Sequence, residues 1–98
     1  MTKPATVKIL GKAYSIEWVH PRDIGDDYGE CRSHECLIKV STEQHEEQQR
    51  DALLHEIVHA VDFEMDTKLS ERAVRLIATG LLNMLRDNPL IVAYLTHG

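Results

Sequence analysis

The chain has 98 residues, 43% of them hydrophobic, with a formal net charge of −5 at pH 7 and a pI near 5.6. That length makes one small domain, 1–98, with one core that buries about 60 to 70% of the unfolded surface, and it excludes a large substrate-binding lobe. The acidity argues against nucleic acid or an anionic membrane as main partner, since both favour basic patches.

Met1-Thr2-Lys3-Pro4-Ala5 leads into an alternating segment and not into an apolar signal region, and no apolar run reaches 18 residues, so a cytoplasmic location is expected. Thr6 to Leu10 alternates polar and apolar, Gly11-Lys12 reads as a two-residue turn, and Ala13 to Val19 alternates again: a β-hairpin. His20 to Gly29, with Pro21, Gly25, Gly29 and three Asp, reads as a loop. Tyr28 to Cys31 and Glu35 to Val40 read as two further strands around a turn at Arg32-Ser33-His34. Cys36, Ile38 and Val40 are expected on one face, with Cys36 a small core residue. The spacing of Cys31 and Cys36 is a weak metal pattern, and a disulfide is not expected in the cytosol.

Ser41-Thr42-Glu43-Gln44 has the pattern of a helix-opening capping box. Nothing breaks a helix from there to about Met65; its first half is polar almost all round and is expected to be solvated. Asp66-Thr67-Lys68 reads as a short connection. Leu69 to Leu85 returns to helical spacing, with Gly80 as a possible mark of close helix packing. Asn88 as cap and Pro89 at the first helical position open a last short helix through Leu95. Strands followed by helices predict an α+β domain: a small antiparallel or mixed sheet of three to four strands, then a long helix and a second one antiparallel to it.

The long helix carries Leu54-His55-Glu56-Ile57-Val58-His59-Ala60. Positions i and i+4 share a helical face, so His55 and His59 can hold one metal ion. Glu56, about 100° round, can reach a water on that metal without ligating it. Imidazole pairs suit zinc, which in catalytic sites takes three protein ligands and leaves a position open. Leu53, Leu54, Ile57, Val58 and Val61 supply an apolar surface beside the His face.

The third ligand must come from elsewhere. The short connection brings the start of the second helix near His59, which makes Glu71 the best candidate, with His20, His34 and His97 as loop alternatives. Asp62 shares the His face but lies about 10 Å along the axis from His55, so it is expected to orient an imidazole and not to ligate. Glu64 points away, and His45 is expected to be solvated.

Leu53 to Ala60, Leu69-Ser70-Glu71-Arg72 and Leu85-Arg86-Asp87-Asn88-Pro89, following a Gly-Glu-Cys turn near residue 30, resemble the small HExxH metallopeptidases of zincin, gluzincin-like type encoded by phages and prophages. The resemblance spans that turn to Pro89; the N-terminal hairpin fits it loosely. It implies a minimal zincin-like fold, Zn(2+) held by His55, His59 and Glu71, proteolytic activity on a protein or peptide, and location in the host cytoplasm. The substrate of such proteins is generally unknown. Larger relatives carry DNA-binding or sensor domains, and none is expected here.

The expected chemistry is peptide-bond hydrolysis by a zinc-activated water, with Glu56 as general base. The substrate would add as a strand along residues 35 to 40. Tyr28, Tyr94 and His97 are candidates for stabilising an oxyanion. The alternative is a zinc-containing protein-binding module of phage or prophage origin without turnover, which a fourth protein ligand such as His34 or His97 would favour. Oligomeric state is not legible in the sequence.

Overall fold

Alternation in the first twenty residues does build a hairpin, β1 (Thr6–Ile9) with β2 (Lys12–Val19), in the computed structural model of the protein, which describes residues 2–24 and 28–98. The turn is Leu10-Gly11, one residue earlier than expected, and both residues have positive φ, 49° and 86°. A two-residue turn of the I′ kind needs that conformation at both central positions so that its twist matches the strands. Gly11 adopts it freely, whereas Leu10 carries the steric cost with an exposed side chain. Along β2, Tyr14 and Ile16 point inward and Ser15 and Glu17 outward.

A 3-10 turn at Pro21–Asp23 and the buried Ile24 follow; the remainder of the expected loop, residues 25–27, lies outside the described residues. Next come β3 (Gly29–Arg32), a 3-10 turn at Ser33–Glu35 and β4 (Leu37–Ser41). The four strands form one mixed sheet in the order β1-β2-β4-β3, with β2 parallel to β4 and β3 antiparallel to β4. Two expectations change here. Cys36 is not a strand residue sharing a face with Ile38; it ends the 3-10 turn in the left-handed region (φ 50°) and only packs beside the core. Residues 37–41 cannot accept an added strand, because β4 is already paired on both sides. Among the described residues, the free edge nearest the helices is β3.

The capping-box expectation also fails. Ser41 belongs to β4, with its N–H donating to Tyr28 O at 2.9 Å, and this pairing holds it extended. Its hydroxyl accepts from Glu43 N, while the Gln44 amide donates to Ser41 O and Tyr28 O, so the segment ties the end of the sheet to the helix start. Helix α1 (Glu46–Met65) begins four residues later than expected, with His45 exposed at its cap position and making no side-chain cap bond. Nor is its first half wholly solvated. Gln49 is buried, donating to Gln44 O and accepting from the Lys3 ammonium.

Helix α1 has three working faces. Ala52, Leu53, Ile57, Ala60 and Val61 pack on the sheet with Ile9, Tyr14, Ile38 and Val40. Leu54 and Val58 meet Val74 and Ala78 of α2 (Glu71–Asp87). The apolar surface expected beside the His pair is thus split between two neighbours, and the third face is left open. Gly80 does not mark close packing, since a methyl group there would meet nothing within 4 Å. Helix α3 (Pro89–Thr96) starts at Pro89 as expected, but the Asn88 amide donates back to Met84 O instead of capping it, and none of its residues is buried. Glu64, directed away from the His pair, accepts from the Tyr14 hydroxyl at 2.7 Å and pairs with Lys12 at 3.0 Å. The protein is an α+β domain, and among the described residues no helix is long and apolar enough to cross a membrane.

Candidate metal centre

The open face of α1 presents His55 and His59, whose rings lie 4.9 Å apart between centroids. Glu71 reaches them from α2, where it is the first helical residue. Ser70 fixes that start by accepting the Ala73 N–H at 3.0 Å. The connection before it is held by Asp62, whose Oδ1 accepts from the Thr67 hydroxyl and, at 2.9 Å, from Leu69 N. These bonds, the Thr67 hydroxyl first, hold the Asp62 carboxyl below its usual pKa. Asp62 therefore shapes the turn that delivers Glu71, a role the i+3 spacing from His59 did not suggest. It also lines a hollow that contains His59.

Both carboxylate oxygens of Glu71 face the imidazoles: Oε1 lies 2.6 Å from His55 Nε2 and Oε2 lies 3.0 Å from His59 Nε2. One donor atom from each of the three residues lies within 4.8 Å of the others, so the group could hold a metal ion. The donor set fits a small divalent cation. Ligand distances of about 2.1 Å in a tetrahedron imply donor separations of about 3.4 Å, so seating an ion asks for shifts of less than about 1 Å. Glu71 is exposed and free to make that adjustment. Among the described residues no fourth His, Cys, Asp or Glu belongs to the group.

Glu56 sits on the sheet side of the His pair and is only 7% exposed. Its neighbour is Gly29 at the start of β3. A methyl group built there would lie 2.9 Å from Glu56 Oε2, 3.1 Å from its Cγ and 3.3 Å from Lys39 O. The backbone of the edge strand thus presses against the carboxylate, which is possible because residue 29 has no side chain. The signal for it was a glycine opening a strand, a common mark of close backbone approach.

An open cleft of about 670 Å3 runs past these groups, lined among others by Tyr28, Gly29, Asp51, Glu56, Glu71 and Arg75. A second hollow, about 510 Å3, shares Glu56 and His59 with it and continues past Cys31, Asp62, Asp66 and Lys68. Cys31 and Cys36 are free thiols. Burial pushes the Cys31 thiol above its usual pKa, and its Sγ lies 3.3 Å from Ser33 Oγ.

The other candidates are placed elsewhere. His34 packs edge-on against Phe63 with centroids 4.9 Å apart, His20 pairs with Glu43 at 3.0 Å, and His97 is exposed beyond α3. None of them joins the donor group. Of the three oxyanion candidates, Tyr28 lines the cleft, whereas Tyr94 is 80% exposed on α3 and neither it nor His97 lines the cleft or the second hollow. Comparison of the chain with protein-family models, with curated proteins and with solved structures found no match.

Proposed function

We propose that the protein is a zinc-dependent peptidase of minimal zincin-like design, with Zn(2+) held by His55, His59 and Glu71. The observation that carries this reading is the convergence of three donors on one open cleft with a buried carboxylate, Glu56, beside them and a free strand edge, β3, alongside. Three ligands with no fourth among the described residues is the pattern of a catalytic zinc site, where a structural one is closed by four.

Bound zinc would supply a Lewis acid and make a water acidic enough to ionise near neutral pH. Glu56 would take the proton from the attacking water, hold it on its carboxylate, and deliver it to the leaving amine. Its burial between α1 and Gly29 limits its rotamers, so the proton acceptor is oriented before substrate arrives. A peptide in extended form would pair with β3, which fixes its register and presents every second side chain to the cleft. Tyr28, at the start of that edge, is the oxyanion candidate this arrangement retains.

The test is a set of three purified proteins assayed for zinc by elemental analysis and for hydrolysis of an unstructured protein substrate. Wild type is expected to hold one zinc and to hydrolyse. Glu56→Gln is expected to keep the zinc and lose hydrolysis, and Glu71→Ala to lose most of both. Full hydrolysis by Glu56→Gln would end the mechanism, and wild-type zinc content in Glu71→Ala would move the third ligand elsewhere.

A further inference from the structure

The charged groups lining the main cleft are matched with partners, with one exception. Asp51 accepts from the Thr79 hydroxyl at 3.1 Å, and His55, His59 and Glu71 are bonded to one another. Glu56 is packed against Gly29, lines the same cleft and is not without a partner. Arg75 alone is a charged lining residue without an ion-pair or hydrogen-bond partner among the described residues. It follows Glu71 by four residues, a spacing at which a Glu and an Arg ordinarily pair along a helix. Here both oxygens of Glu71 are turned to the imidazoles, and the guanidinium is left to the cleft.

The direction of β3 says which part of a substrate would meet it. The strand runs from Gly29, which lines the main cleft, to Arg32, just past Cys31, which lines the second hollow. A peptide pairing antiparallel with this edge, the slightly stronger arrangement, runs the opposite way. Its amino side then lies over the second hollow and its carboxyl side in the main cleft. Charge adds one point to that polarity: Arg75, the cation without a partner among the described residues, stands in the main cleft, where the carboxyl side would lie.

Resting on the peptidase reading above, we infer that Arg75 binds a carboxylate on the C-terminal side of the scissile bond. The spacing supports this. One helical turn separates Arg75 from Glu71 by about 6 Å along the axis, and an extended peptide advances about 3.3 Å per residue, so the carboxylate belongs one or two residues beyond the bond. Arginine suits that ligand, because its planar fork meets a carboxylate through two parallel charge-assisted hydrogen bonds. The carboxylate comes either from the C-terminus of a short peptide or from an Asp or Glu side chain.

Three probes separate these sources: N-(3-mercaptopropanoyl)-phenylalanine, its C-terminal amide, and the C-terminal amide of N-(3-mercaptopropanoyl)-aspartate. Each carries a thiol to anchor on zinc and differs in the carboxylate it offers. Titration calorimetry on the zinc-loaded protein is expected to show at least one acid binding about 10- to 100-fold more tightly than the neutral amide. Arg75→Ala should abolish that preference while zinc content and amide binding stay as in wild type, and Arg75→Lys should restore part of it. Preference for the first probe identifies a C-terminal carboxylate, and preference for the third an acidic side chain. Equal binding of all three, no binding of any, or a preference that survives Arg75→Ala would overturn the inference. Zinc content of the same wild-type sample keeps the two failures apart: no zinc sinks the metal-centre reading, whereas zinc without a carboxylate preference sinks only the role of Arg75.

Discussion

Replacing Gly29 by Ala tests whether the edge strand positions Glu56, the proton acceptor of the proposed mechanism. The backbone at residue 29 is not in the left-handed region, so alanine costs nothing in conformation and its effect is steric. The added methyl would stand 2.9 Å from Glu56 Oε2, where ordinary contact begins near 3.4 Å, and Lys39 O at 3.3 Å closes the other side. The carboxylate therefore has to move by about 0.5 to 1 Å or rotate away. A displacement of about 1 Å in a reacting group can cost about a hundredfold in rate, and overpacking of this kind costs about 1 to 3 kcal/mol in stability. Gly29→Ala should thus hold zinc as wild type does, melt somewhat lower, and lose about 10- to 100-fold in kcat/KM on an unstructured substrate. Elemental analysis, a thermal melt and steady-state kinetics read the three effects separately. Wild-type kcat/KM in a folded, zinc-loaded Gly29→Ala protein would refute the idea that this contact orients Glu56.

Gly80 is the opposite case, a glycine inside α2 whose added methyl meets nothing within 4 Å. Gly80→Ala should stabilise by about 0.5 to 1 kcal/mol and raise Tm by about 2 to 8 °C, and a lowered Tm would show that this face is covered in solution. The Tyr14 hydroxyl, then the Lys12 ammonium, hold the Glu64 carboxyl below its usual pKa. That contribution is present above the unfolded carboxyl pKa of 4.5 and is lost as pH falls through the lower folded value. Burial, then the Glu64 bond, push the Tyr14 hydroxyl up to about 12, so its contribution is present below 10 and lost as pH rises through about 12. Tm measured from pH 3 to 11 should therefore show Tyr14→Phe falling short of wild type most near neutrality and least at the acid end, and a deficit that grows below pH 4 would contradict this assignment.

The parts of this protein that sequence makes legible are those governed by local period. The hairpin, the three helices and the approach of Glu71 to the His pair follow from alternation, i+4 spacing and a short connection. What escaped depends on strand order. Nothing in residues 35 to 41 announces that β2 and β4 lie parallel and adjacent, and that single fact turns β4 from a docking edge into an inner strand. It also explains the failed capping box: Ser41 has the right side chain for a helix cap, but its backbone is claimed by the sheet. The Leu10-Gly11 turn differs from expectation for a similar reason, since pairing Ile9 with Lys12 requires the left-handed bend at residue 10, against the preference of leucine.

Asp62 shows why a chain this small can hold three donors at all. His55 and His59 are placed by one helix, but Glu71 arrives through a five-residue connection, residues 66–70, whose ordering costs about 1 to 2 kcal/mol per residue. Helix packing by Val58, Val74 and Ala78 sets the distance between α1 and α2 but not the entry angle of the second helix. That angle is set where the chain turns, by Asp66 and Lys68 in the left-handed region and by one carboxylate oxygen of Asp62 that accepts both the Thr67 hydroxyl and the Leu69 N–H. Asp62 lies one turn along the helix from His59, so the element that carries two donors also fixes the turn that brings the third. The acid expected beside the His pair thus places Glu71 through the backbone of the turn that follows, and the candidate centre needs no large supporting lobe.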